Sequence, residues 1–262
     1  MTPTFARIAA ACVFGLLASW PQHAQAANDS IANAWTGVLG QVRAQALGGD
    51  GGGSDVAYYR FSLQANRSYA AILWFVGLDG SGLNVNTVSW RDGSDVSVGI
   101  GGDLEPFDLT NFIGDIAIYL PSTAGTFYVR IDNPNAAAVT ANLMVIETTL
   151  FSPWFFVSTG GGYEAFVEIR NNTSENISFA VRAYSAAGAI LGASAAVLAP
   201  NGNTAVRVGG DLGVMNTGGS VTIVHSGPPG ALVANITTLS ATTGLSFDAP
   251  FAPRMVWTNF QQ

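Results

Sequence analysis

Ile177, Phe179, Val181 and Ala183 stand at every second position of the chain. A sheet can bury that spacing on one face and a helix cannot. The same period recurs along most of the sequence. Residues 56–63 set Tyr59, Phe61 and Leu63 on one face, and residues 69–76 form an unbroken apolar run, as in a strand covered on both faces. In 83–90, Leu83 and Val85 are followed by Val88 and Trp90, and this change of parity at Asn86-Thr87 predicts a bulge. Residues 113–120 place Ile116, Ile118 and Leu120 together, and 126–131 and 139–146 complete a first set. Gly77, Asp79-Gly80, Asp92-Gly93 and residues 121–125 supply its turns.

The pattern then begins again. Strands are expected at 163–169, 177–184, 189–198, 204–208, 220–224 and 231–239, with a last one at 251–260. In the first of these Phe166 and Val167 compete for the inward face. Residues 151–154 read as a short connection or a domain start. About six strands at roughly ten-residue spacing describe a sandwich. The predicted fold is therefore all-β, two antiparallel sandwiches in tandem, jelly-roll or Ig-like, over 27–148 and 149–262. Ile31, Trp35, Val38 and Val42 alone have helical spacing beyond the N-terminal run. Gly37 and Gly40 interrupt it, each at about 1 kcal/mol relative to Ala, so a short helix and an extended arm both remain open.

Residues 1–26 read as a cleaved signal peptide. Arg7 precedes a largely apolar stretch at 8–20, Pro21 ends it, and Ala24-Gln25-Ala26 is a small-x-small cleavage site. Thirteen residues are too few to span a hydrocarbon core of roughly 30 Å, and no later run is long enough to do so. The expected location is secreted, periplasmic or cell-surface, with no membrane span. Cys12, the single cysteine, lies in this segment, so the exported chain has no disulfide and depends on core burial.

Charged residues make up only 10% of the chain, the net charge is −7, and every basic residue is Arg. Without a basic run or stripe there is no electrostatic footprint for nucleic acid or anionic lipid. Without Lys there is no Schiff-base chemistry. One histidine and no cysteine in the exported part make a poor zinc set.

The first half carries Asn28-Asp29-Ser30-Ile31-Ala32-Asn33-Ala34, then Ser54-Asp55-Val56-Ala57-Tyr58-Tyr59-Arg60-Phe61, then 124–131, Ala-Gly-Thr-Phe-Tyr-Val-Arg-Ile. In these motifs it resembles the bacterial pre-peptidase C-terminal domain family. The resemblance covers roughly 28–148. It implies a jelly-roll-like sandwich that serves secreted proteins as an adhesion, solubility or substrate-binding accessory. It also implies calcium as a cofactor, through Asn28, Asp29 and Asp55 with Asp50. Acidic residues expected ahead of Asn28 are absent, and Ala57 replaces a second turn Asp. Calcium takes six to eight oxygens, so Asp50 or backbone carbonyls must contribute. The second half, in 168–172, 225–234, 243–248, Pro250, Phe251 and Arg254, resembles an uncharacterised sandwich of bacterial secreted proteins.

Few groups here suit catalysis. His225 precedes the turn 227–230 and is read as bonding that turn; a triad with Ser226 or Ser220 is the alternative. No Gly-x-Ser-x-Gly elbow is present. Asp103, Glu105 and Asp108 share a Gly-rich loop, open to solubility, cation binding or paired-acid chemistry. Asp92 and Asp95 are read as turn formers. The Gly-rich run 48–53 lacks the Lys and Ser/Thr of a phosphate loop. Trp74, Trp90, Trp154 and Trp257 are candidate sugar-stacking rings, with Trp74 better suited to the core and Trp154 and Trp257 to an exposed face or an interface between modules.

The expected function is a non-catalytic, secreted or cell-surface binding or adhesion module. Its partner would be an extracellular polysaccharide, a protein, or further copies of the chain. The alternatives are a structural subunit of an extracellular assembly and a secreted hydrolase using His225.

Overall fold

The computed structural model describes residues 28–47, 55–76, 88–101, 112–133 and 139–254. A 3-10 turn, η1 (Ile31–Asn33), opens the described chain. The first set of strands is β1 (Trp35–Thr36), β2 (Val42–Leu47), β3 (Asp55–Leu63), β4 (Tyr69–Val76), β5 (Val88–Arg91), β6 (Ser97–Val98), β7 (Ile100–Gly101), β8 (Phe112–Tyr119), β9 (Gly125–Asn133) and β10 (Val139–Glu147). The second is β11 (Leu150–Val157), β12 (Tyr163–Asn171), β13 (Ile177–Ser185), β14 (Ile190–Leu198), β15 (Asn203–Arg207), β16 (Thr217–His225), β17 (Leu232–Ser240), β18 (Ser246–Pro250) and β19 (Ala252–Pro253). No α-helix occurs among the described residues.

The segment with helical spacing is an extended arm. Its two glycines are used where a helix would only have paid for them. The Gly37 N–H donates to the Arg60 carbonyl at 2.9 Å, and a Cβ at Gly37 would strike the Phe61 ring. Gly40, at φ +76°, turns the chain toward β2.

Four sheets result. The first set gives β1-β3-β9-β5-β6 and β2-β10-β4-β8-β7; the second gives β14-β13-β16-β11-β19 and β15-β12-β17-β18. Every pairing is antiparallel except β1 with β3. One hydrophobic cluster fills each set, the first around Tyr59, Leu73, Trp90 and Leu143, the second around Phe155, Ile169, Val181 and Ile223. Full burial of each such side chain stabilises by on the order of 2 kcal/mol.

Alternation decides the faces. In β3, Tyr59, Phe61 and Leu63 point into the core, and in β13 Ile177, Phe179, Val181 and Ala183 do so. In β12, Ala165, Val167 and Ile169 face inward, which leaves Phe166 on the outer face. Ile116, Ile118 and Leu120 share a face, but it is the outer one: Ala117 and Tyr119 meet the main core. On that outer face they join Ala70 and Ile72, so β4 is covered on both sides.

Two segments depart from the sequence reading. Residues 151–154 are no loose connection: only Thr148 and Thr149 separate β10 from β11. Pro153 is tolerated there because the register with β16 shifts between Ser152 and Phe155, a bulge that spares a ladder donor. A strand the sequence reading does not assign precedes the last one, and β19 takes up two residues of the strand expected at 251–260. Residues 246–250 form β18, and Phe251 lies between β18 and the two-residue β19. Asn86-Thr87 and residues 255–260 lie outside the described residues.

Candidate functional site

Thr148 and Thr149, the link between the two sets of strands, are both buried. From the first set, the Thr148 N–H donates to the Ser68 carbonyl at 2.8 Å, and the Ser68 N–H donates to Thr149 Oγ1 at 3.0 Å. Next to them Arg67 Nη1 lies 2.8 Å from Glu147 Oε2, on a carboxylate only 2% exposed. From the second set, the Arg254 N–H donates to the Thr149 carbonyl at 3.0 Å.

The remaining contact is made by His225, at the inward end of β16 and 1% exposed. Its Nε2 is 3.1 Å from the Thr148 carbonyl, and its Nδ1 accepts the Gly227 N–H at 3.2 Å. A carbonyl only accepts, so the proton sits on Nε2 and the ring is neutral, with both nitrogens engaged. Burial is the leading cause that pushes its pKa from 6.5 down to about 4. The turn contact suggested by the sequence is present; the bond to Thr148 is additional. Neither candidate nucleophile is brought to the ring. Ser226 Oγ accepts the Ser178 N–H at 3.0 Å, and Ser220, by strand parity, points to the opposite face of the sheet.

The residues proposed for calcium are placed as follows. Asn28 is buried; its Nδ2 donates to the Tyr58 carbonyl at 3.2 Å and its carbonyl accepts the Tyr58 N–H at 2.7 Å, which pins the arm to β3. Asp29 accepts from Asn33 Nδ2 at 3.3 Å on the surface. Asp55 begins β3 opposite Asn133. Asp50, the run 48–53, and Asp103, Glu105 and Asp108 lie outside the described residues. Among the described residues no three His, Cys, Asp or Glu side chains are grouped to hold a metal ion.

Asp92 and Asp95 shape the turn after β5. Asp92 Oδ1 accepts the N–H groups of Ser94 and Val96 at 2.8 and 3.0 Å, and Asp95 adopts φ 61°. Asp95 also accepts the Tyr58 hydroxyl at 2.8 Å, with Arg130 3.9 Å away. Burial, and then this bond, raise the Tyr58 pKa above its ordinary value.

The four tryptophans separate. Trp90 is a core residue, 1% exposed, which removes it from the sugar-stacking candidates. Trp74 lies half-buried on β4, and Trp257 lies outside the described residues. Trp154 is 42% exposed on β11 and meets Phe247 of β18, itself 48% exposed, edge to face at 6.0 Å between centroids. Further along β11, Phe156 meets Tyr163 in the same way at 5.6 Å. A shallow groove of about 640 Å³ also crosses the sheet of β12, β15 and β17, lined by Glu168, Arg170, Asn203 and Asn235 among others.

Phe156 went unmarked in the sequence reading, and Phe247 stood in a motif without an assigned role, because nothing local shows which rings a bulge or a closing strand will leave outside. Asn171 stood in a motif without an assigned role. It is fully buried, its Nδ2 donates to the carbonyls of Glu175, Leu198 and Ala199, and its Oδ1 accepts the N–H and hydroxyl of Thr173. That is a structural hub for two loops.

No family model matches the chain, and no curated protein matches it. Among solved structures, a calcium-binding mutant of beta-glucuronidase 2 from Bacteroides uniformis is 10% identical with a TM-score of 0.18. The match covers 76% of this chain and 26% of that one, so the chain spans about a quarter of its length. A superposition that poor establishes neither fold nor chemistry here.

Proposed function

We propose that the chain is an exported, non-catalytic binding module that holds polysaccharide through the second sandwich. The observation that carries this reading is the Trp154–Phe247 pair, two rings exposed to solvent and held on strands, where their positions are set by the sheets. Exposed apolar rings on rigid elements mark contact surfaces, and a flat ring stacks on the apolar face of a sugar. The polar groove over β12, β15 and β17 adds the carboxylate, guanidinium and amide groups that bond hydroxyls. The engagement of both His225 nitrogens supports a role without acid–base chemistry.

Retention on insoluble cellulose and chitin, and retardation in gels cast with soluble glucans, test this reading. The chain is expected to be held by at least one of them. Trp154→Ala is expected to weaken that binding about tenfold, equivalent to about 1.4 kcal/mol. Its unfolding free energy should change by less than about 0.5 kcal/mol, as for an exposed site. No retention on any of these polymers, or retention indifferent to both Trp154→Ala and Phe247→Ala, would overturn the proposal.

A further inference from the structure

The long free edge of the second sandwich points to a second function, independent of the polysaccharide reading. Most edge strands among the described residues are short or guarded. β1, β6, β7 and β19 have two residues each, β2 carries Arg43, β15 carries Arg207, and β18 carries Asp248 and Pro250. These are the usual protections of a sheet edge. β14 has none of them. It runs for nine residues, Ile-Leu-Gly-Ala-Ser-Ala-Ala-Val-Leu, with no charge and no proline, in a chain of net charge −7. It pairs only with β13. Ile190, Leu191 and Val197 are exposed by 52, 37 and 64%, and Ala193, Ala195 and Ala196 are exposed too. Its one irregularity, the register shift beside Leu191, sits near the end of the strand and leaves the ladder from Gly192 to Leu198 regular.

The sequence of β14 reads nearly the same in both directions about Ser194. Ala193 mirrors Ala195, Gly192 mirrors Ala196, Leu191 mirrors Val197 and Ile190 mirrors Leu198. We propose that β14 is the pairing edge for a second copy of this chain, antiparallel about a two-fold axis at Ser194. Over the regular stretch, residues 192–196, each small side chain then lies opposite another small one, and exposed branched residues, Leu191 and Val197, flank it on either side. The unused backbone donors and acceptors of two edges satisfy one another, and two five-stranded sheets become one continuous sheet. An isologous contact of this kind closes as a dimer and consumes both free edges, so it does not propagate. The absence of charge on β14 permits the approach, because two acidic molecules meet there along a neutral line.

The register makes the proposal testable by sign of charge. In the two-fold pair, position 193 of one copy faces position 195 of the other, on the outer face of the sheet. The A193E/A195E variant sets carboxylate against carboxylate twice, while A193E/A195K alters the same two exposed positions and sets opposite charges together. Sedimentation velocity over a wide concentration range, on full-length chain, reads the outcome. The unaltered chain is expected at twice the monomer mass at micromolar concentration, A193E/A195E should raise the dissociation constant at least tenfold, and A193E/A195K should restore it. A monomer at every concentration, an open series of larger species, a dimer indifferent to A193E/A195E, or loss of the dimer in both variants would each overturn the proposal.

Discussion

Trp90→Ala is expected to destabilise the first sandwich by about 4 kcal/mol, the typical cost of deleting a buried indole. Trp90 is 1% exposed on β5 and packs on rings from two other strands, β3 and β8. Phe61 lies 6.2 Å away, edge-on, and Tyr119 lies 5.8 Å away, itself 4.9 Å from Phe127. The indole also ties the two sheets together, because its Nε1–H donates to the Ala117 carbonyl of β8 at 3.0 Å. Truncation removes the packing and leaves that buried carbonyl without its donor. Trp90→Phe keeps part of the packing and loses the bond, so about 2 kcal/mol is expected. Urea titration followed by far-UV circular dichroism measures both. A shift below about 1 kcal/mol for Trp90→Ala would show that the two sheets are held together elsewhere.

Trp90 also shows where sequence reading stops. Alternation identified strands β3, β13 and β16, because parity is a local property of the chain. Parity does not say which face meets the core. Ile116 and Ile118 of β8 and Leu120 just after it are the larger set, yet the core receives Ala117 and Tyr119. Opposite them Trp90 and Phe127 already fill the space, and small Ala117 admits the indole. The exposed pair Trp154 and Phe247 is half legible: Trp154 is a candidate, but its partner comes 93 positions later in the chain, from a strand the sequence reading does not assign. Residues 151–154 read as a connection or a domain start, and the strand through Pro153 is not legible there, since a bulge that excuses a proline depends on the facing strand. The two glycines of the N-terminal arm were informative from the start, and their contacts with Arg60 and Phe61 explain why the helix is refused.

Acidification should weaken the molecule through a single imidazole. His225 was legible as a turn contact, since Gly227 follows it closely. Its second bond, to Thr148, spans 77 positions and connects the second sandwich to the link that leaves the first. In the folded chain the pKa of His225 is held at about 4, against 6.5 when exposed. Below pH 6.5 the unfolded chain gains a proton that the folded chain refuses. The unfolded state is favoured by about 1.4 kcal/mol for each pH unit between those two values. The contribution is intact above about pH 6.5, falls as the pH drops, and levels off below about pH 4 after a loss of about 3 kcal/mol. Carboxylates also titrate at the lower end of this window, so the comparison with His225→Gln isolates the effect. Glutamine can still donate toward Thr148, yet it does not titrate. At pH 7.5 the unaltered chain should be the more stable of the two, and the gap should close by pH 4.5. Protonation would place a cation where both recorded partners of the ring are backbone groups, and Nδ1 would then face the Gly227 N–H donor for donor, so the Gly227 bond must break. Equal pH dependence in the two proteins would mean that the imidazole carries no such penalty and that the junction is indifferent to its charge.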